Sequence, residues 1–189
     1  MAVHMTQLTP EEIDGYAGSG GHIVHCPESN MKLASGFCRV AELAAAGVNI
    51  ALGTDGPASN NDLDMIGEMR SAALLGKIVS GDASALPAHA ILRMATLNGA
   101  LALGLGEQTG SLTPGKWADM AAICLDSIET QPLYEPVSQL VYACGRDQVS
   151  DVWVAGQHLL KERQLTTLDI HEILHRAQDW QARISSTDN

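Results

Sequence analysis

Apolar and polar positions fall into short blocks that alternate between strand-like and helix-like spacing. Residues 2–5 read as a short apolar strand with His4 near its end. Thr9-Pro10-Glu11-Glu12 then reads as a helix start, with Thr9 as N-cap, Pro10 at the first helical position and Glu12 closing a capping box. That helix stops at Gly18, Gly20 and Gly21. Residues 22–26 form a second strand, halted by Pro27, and a loop is expected over 28–36. A helix over 40–46 ends at Gly47, and residues 48–52 form a third strand that runs into Gly53-Thr54-Asp55-Gly56.

Repeated strand–helix units predict parallel βαβ architecture. In such folds functional groups gather at the C-terminal ends of strands. His4, His25 and Asp55 all fall at or near such ends. Helices follow over 63–75, 87–94 and 95–103, the last ending at Gly104. The pattern changes at the turn-rich Gly110-Ser111-Leu112-Thr113-Pro114-Gly115. Beyond it come strand candidates over 120–125, 140–144 and 149–154, with Ala155-Gly156 turning the last into 157–160. This predicts a small β appendage. Residues 168–184 have the spacing of an amphipathic helix.

Composition narrows the picture. The 189 residues are 46% hydrophobic, enough for one cored domain or a domain with an appendage. Aromatics make up 4%, which suits helices packed on buried strands better than an all-β protein. A net charge of -11 repels phosphate backbones and argues against nucleic acid as a partner. The four cysteines show no CxxC spacing and read as reduced thiols in a cytoplasmic protein. No signal peptide is evident, and no apolar run reaches the ~18 residues of a membrane span.

Candidate chemistry centres on Asp55. Flanking glycines allow a tight turn that exposes its carboxylate, although an Asx turn or a helix cap gives the same tetrapeptide. His4 stands at a strand end, where a lone histidine is more often a packed side chain. His22 and His25 are three apart in a strand and face opposite ways; His25, leading into the polar Glu28-Ser29-Asn30, is the more site-like. His171 and His175 have metal-pair spacing without a third ligand and read as a solvated helix face. His89 and His158 lack supporting context, and Asp62 and Asp64 read as charges at a helix N-terminus. Two strand-end histidines and a strand-end aspartate suit activation of water on a metal, which needs ligands, a base and an orienting group.

Four stretches resemble a known family: Ala2-Val3-His4-Met5-Thr6; His25-Cys26-Pro27-Glu28-Ser29-Asn30-Met31-Lys32-Leu33; Leu52-Gly53-Thr54-Asp55-Gly56-Pro57-Ala58-Ser59-Asn60-Asn61; and Gly110-Ser111-Leu112-Thr113-Pro114-Gly115-Lys116-Trp117-Ala118-Asp119. The chain resembles the amidohydrolase superfamily, more narrowly its methylthioadenosine/S-adenosylhomocysteine deaminases and chlorohydrolase relatives. The resemblance implies an α/β fold: the last three strands of a (β/α)8 barrel with their helices over 1–108, part of a small β-sandwich over 109–165, and a C-terminal helix over 166–189. It implies that Asp55 binds the metal, Zn2+ or another divalent ion, and takes the proton of the attacking water. It also implies that His4 orients the hydroxide and that Ser59 lies near substrate, with His25, Ser29 and Asn30 shaping the pocket.

The implied reaction is hydrolytic deamination of an adenosine-type thioether nucleoside. The alternatives are a guanine- or triazine-type aminohydrolase or chlorohydrolase, or a non-catalytic truncated product. Family members also need a His-x-His pair on the first barrel strand and a His with a nearby Glu on the fifth. This sequence matches only from the sixth strand onward. The expectation is therefore a fragment, inactive alone, that forms a homo-oligomer or associates with the missing N-terminal half.

Overall fold

The computed structural model describes residues 1–187. Strands β1 (Ala2–Val3), β2 (His22–His25) and β3 (Asn49–Leu52) form one parallel sheet in that order. Val3 stands opposite Val24, and His25 opposite Leu52, so all three strands end at one edge. Parallel neighbours need crossovers, and helices supply them: α1 (Pro10–Ala17), then α2 (Pro27–Lys32) and α3 (Val40–Ala45). The capping box of α1 forms as its sequence predicts: Thr9 Oγ1 accepts from the Glu12 amide and Glu12 Oε2 accepts from the Thr9 amide.

Residues 27–32, expected as strand end and loop, are helix α2. Pro27 cannot extend the sheet ladder, and its fixed φ suits a first helical turn. After β3 come α4 (Pro57–Asn60), α5 (Met65–Ser80), α6 (Ala88–Ala95) and α7 (Leu97–Ala102). Asp64 caps α5 by accepting from the Ile66 amide at 2.9 Å, and Gly81 ends it in the left-handed conformation, φ 66°. The helix expected over 95–103 begins later, because Thr96 (φ -128°, ψ -95°) breaks the backbone between α6 and α7.

The second sheet is antiparallel: β4 (Met120–Ile123), β5 (Val149–Val154), β6 (Gln157–Lys161) and β7 (Gln164–Leu165). The strand expected over 140–144 is a correction: those residues belong largely to α8 (Pro136–Tyr142). Glu135 caps α8 through the Ser138 amide, Pro136 occupies its first turn, and Val137, Leu140 and Val141 share one face at helical spacing. Helix α9 (Ile170–Thr187) covers the predicted tail. No helix among the described residues is long and apolar enough to cross a membrane.

One core joins the parallel sheet to its helices. Ile23, Ile50 and Leu52 from the strands meet Leu43, Met69, Ala72, Ala73, Ile91 and Met94, and Val141 of α8 joins the same cluster. Removing a Leu, Ile, Val or Met side chain from water contributes roughly 1.5–3 kcal/mol each. Ile91 is fully buried in α6. Ile91→Ala is expected to destabilise the fold by about 2–5 kcal/mol in urea unfolding followed by circular dichroism. A change below about 1 kcal/mol is incompatible with this packing.

Candidate active site

Strand register builds the site. The His4 amide donates to Val24 O at 3.0 Å and the Gly53 amide to His25 O at 3.0 Å, so His4, His25 and Gly53 stand at one sheet edge. A Cβ on Gly53 would lie 2.8 Å from Val24 Cγ1, so glycine is needed for the strands to approach here. The backbone then turns through left-handed conformations at His4 (φ 67°), Met5 (φ 49°) and Asp55 (φ 63°). Such φ values are uncommon outside glycine, and Asp, Asn and His tolerate them best.

Two hydroxyls converge on one carboxylate oxygen. Asp55 Oδ2 accepts from Ser59 Oγ at 2.6 Å and from Ser29 Oγ at 2.8 Å. Ser59 lies on α4 and Ser29 on α2, so two separate turns grip the same atom. The Ser59 and Ser29 hydroxyls, with the Gly56 backbone and the charge of His4, lower the Asp55 carboxyl to about 2. Asp55 is therefore a carboxylate at neutral pH. His4 Nε2 stands 3.8 Å from Asp55 Oδ2. Asn30 turns its Oδ1 to His4 Nδ1 at 2.9 Å, which places the ring proton on Nδ1 and leaves Nε2 facing Asp55.

Burial divides the expected site residues. The His4 and Asp55 side chains are 40% and 33% exposed, and Ser59 is half-buried. Ser29 (0%), Asn30 (1%) and His25 (1%) are closed off from solvent. Ser29 and Asn30 touch Asp55 and His4 instead. Burial, with a smaller effect from the His4 charge, lowers His25 to about 4, so it is neutral at pH 7. His25 Nδ1 and Asn30 Nδ2 are buried without a hydrogen-bond partner among the described residues. Cys26 is also buried there; its thiol is pushed up to about 12, chiefly by burial, which makes it inert as a nucleophile.

The remaining histidines lie away from this cluster. His171 and His175 are on the exposed α9, His175 beside Asp179 at 3.5 Å. His89 faces Glu135 at 3.6 Å, and His158 contacts Asp151 at 2.8 Å while stacking on Trp153. Asp62 pairs with Arg146 at 3.3 Å, whereas Asp64 is the helix cap already described. An apolar groove of about 760 Å³ runs between α5, α6 and β4, lined by Met65, Met69, Leu92, Leu97 and Met120. None of the site residues lines it.

Sequence reasoning missed Glu68 and Asn60. Glu68, fully buried on α5, accepts from the Glu28 amide at 3.3 Å and from Asn60 Nδ2 at 2.7 Å. The signal was available: residues 68, 69, 72, 73 and 76 are the buried stripe of α5, and Glu68 is the single carboxylate on it. Burial raises Glu68 from 4.5 to about 7, against the lowering effect of the Glu28 amide and Asn60.

The whole constellation lies within residues 1–159, which match the amidohydrolase family. A 5-methylthioadenosine/S-adenosylhomocysteine deaminase of Teredinibacter turnerae is 54% identical over 184 residues, covering 97% of this chain and 42% of that protein. One of the same name from Saccharophagus degradans is 46% identical, with coverages of 97% and 41%. Among solved structures, an adenosine deaminase from Xanthomonas campestris with bound zinc superposes with TM-score 0.95 at 54% identity, over 97% of this chain and 42% of that one. A zinc-complexed atrazine chlorohydrolase from Arthrobacter aurescens gives TM-score 0.88 at 29% identity, over 94% and 39%. The chain belongs to the amidohydrolase family. It spans about two fifths of the length of the curated relatives it matches.

Two expectations follow from these electrostatics. Ser59→Ala is expected to raise the Asp55 carboxyl pKa, and by more than Ser29→Ala does, because the Ser59 hydroxyl is the largest lowering influence. Carbon-13 carboxyl titration by NMR reads this, and an unmoved Asp55 in both variants contradicts the two-hydroxyl grip. Glu68 acts with the opposite sign. Its folded value lies above its ordinary 4.5, so the stability tied to its protonated form is fully present below that value and is lost as pH rises through about 7. Wild type should lose stability relative to Glu68→Gln across that interval in urea unfolding at stepped pH. His25 contributes with the reverse slope, but it is common to both proteins and cancels in the difference.

Proposed function

We propose that this chain carries the Asp55 side of the active site of a zinc-dependent aminohydrolase that deaminates an adenosine-type thioether nucleoside. In this reading β1, β2 and β3 are the last three strands of a (β/α)8 barrel, with Asp55 at its C-terminal face. The observation that carries it is an ionised, accessible carboxylate, held by two hydroxyls, with an imidazole nitrogen 3.8 Å away. The deaminase names of the relatives at 54% and 46% identity support the substrate class.

Zinc suits this donor set in kind but not in number. A carboxylate of pKa about 2 is a competent ligand at neutral pH. A catalytic zinc takes about three protein ligands, however, and no cluster of three His, Cys, Asp or Glu is placed to hold an ion among the described residues. Asp55 accordingly contributes one ligand of a larger set. When bound, the ion supplies Lewis acidity for hydrolysis of the C–N bond.

The chain's own residues orient the reactants and move the proton. Asp55 takes the proton of the attacking water. The hydroxyls that keep it ionised also make it a weak base, since a general base works best with a pKa near the working pH. It therefore holds the proton briefly and passes it to the departing amino group, which leaves as ammonia. His4, its Nδ1 proton tied to Asn30, offers Nε2 to orient the attacking oxygen. Ser59, the more accessible of the two serines, borders the substrate. A triazine-type substrate is the second reading, favoured by the TM-score of 0.88 to an atrazine chlorohydrolase at 29% identity.

Ammonia release distinguishes these readings. The 189-residue chain alone is expected to release none from methylthioadenosine, S-adenosylhomocysteine, guanine or a triazine, and to retain little zinc on metal analysis. Mixed with the N-terminal portion of the Teredinibacter turnerae relative, it should release ammonia from the thioether nucleosides. Asp55→Ala should abolish that release, and full activity in the Asp55→Ala mixture would overturn the assignment.

A further inference from the structure

The hydroxyls that grip Asp55 are only as well placed as the turns that carry them. Those turns, α2 and α4, are short, and each follows a different strand. Both are tied to one atom group on α5. Glu68 Oε2 accepts from the backbone amide of Glu28 in the first turn of α2. Glu68 Oε1 accepts from the side-chain amide of Asn60, the last residue of α4. Asn60 in turn uses Oδ1 to accept from the amides of Asp62 and Leu63, fixing the exit from α4. The neighbouring residue of each contact is a site residue: Ser29 and Asn30 beside Glu28, Ser59 beside Asn60.

We propose that Glu68 is a positioning residue, a buried two-pronged acceptor that sets the spacing between the turn holding His4 and Asp55 and the turn holding Asp55 alone. A carboxylate is the side chain that fits. Both partners are donors; the ionised carboxylate, present above about pH 7, accepts at both oxygens, whereas an amide accepts at only one. Full burial removes competition from water and raises the penalty for a mismatched pair. Ser71 and Lys32 reinforce the frame: Ser71 Oγ donates to Glu28 Oε1 at 2.8 Å, and Lys32 Nζ donates to Ala58 O at 2.8 Å. Ser71 reaches only α2, and Lys32 links α2 to α4 from the exposed surface, whereas Glu68 joins them from the core. The inference rests on the proposed function for the meaning of Asp55 and His4, but the geometry does not.

The test exchanges hydrogen-bond polarity across one contact. Glu68→Gln sets an NH2 group against either the Glu28 amide or the Asn60 amide. In the double variant Asn60→Asp/Glu68→Gln, the side-chain amide now at position 68 donates to the carboxylate now at position 60, and its oxygen still accepts from the Glu28 amide. The second carboxylate oxygen at position 60 remains for the Asp62 and Leu63 amides. The readouts are backbone amide exchange and the nitrogen-15 spectrum of the His4 ring at about pH 8.5. Wild type should show a single Nδ1–H form of His4, as the contact to Asn30 requires. Glu68→Gln should speed exchange of the Glu28 amide roughly tenfold or more. It should also give His4 a mixture of ring tautomers, while amides in the interior of α6 keep their rates. The double variant should restore both signals.

Unchanged His4 and Glu28 signals in a folded Glu68→Gln protein overturn the proposal. So does equal acceleration of all slow amides, which is the mark of a purely structural role. If Glu68→Gln does not fold, the double variant decides: folded with wild-type His4 signals supports the proposal, and unfolded overturns it. No readout uses substrate or zinc, so failure here is separate from failure of the deaminase reading.

Discussion

One oxygen atom organises this site. Asp55 Oδ2 receives hydroxyls from two turns that are distant in sequence, and each turn is delivered by its own strand. The arrangement works because the strands are parallel and in register, so their ends reach the same edge. A register slip of one residue would send each strand's side chains to the opposite faces and scatter the group. The fold thus enters the chemistry through alignment, and the core of Ile23, Ile50 and Leu52 against the helices is what holds that alignment.

Accessibility and support are shared between different residues. His4, Asp55 and Ser59 keep part of their surface open, while Ser29, Asn30 and Glu68 are shut inside. Buried polar groups hold a fixed geometry when their partners are in place, because an unmatched donor or acceptor has no water to turn to. The same logic singles out His25 Nδ1 and Asn30 Nδ2, which have no partner among the described residues.

Much of this was legible from sequence, and the misses have physical reasons. Strand–helix alternation gave the parallel sheet, and the Thr9 capping box obeys local rules that tertiary packing did not override. The helix expected over 63–75 instead runs to Ser80, where Gly81 stops it. The strand expected at 140–144 failed because a short apolar run fits either period; Glu135 and Pro136 carried the helix signal just upstream. Helix α2 was hidden by Pro27, which reads equally as the end of a strand and the start of a helix. For the site, His4 and Asp55 were visible as strand-end residues. That Ser29 and Asn30 support those two, with no open surface of their own, depends on burial and hydrogen bonding, which spacing alone does not encode. Glu68 lay in plain view as a charge on an apolar stripe.

The left-handed backbone at His4 and Asp55 has an energetic side. A side chain held at such φ values costs on the order of 1 kcal/mol that glycine avoids. At these two positions, then, the residue easiest on the chain is one that erases the imidazole or the carboxylate. The imidazole and the carboxylate are thus presented at a small cost in backbone energy, so His4→Gly and Asp55→Gly would ease the two turns while removing the groups they carry.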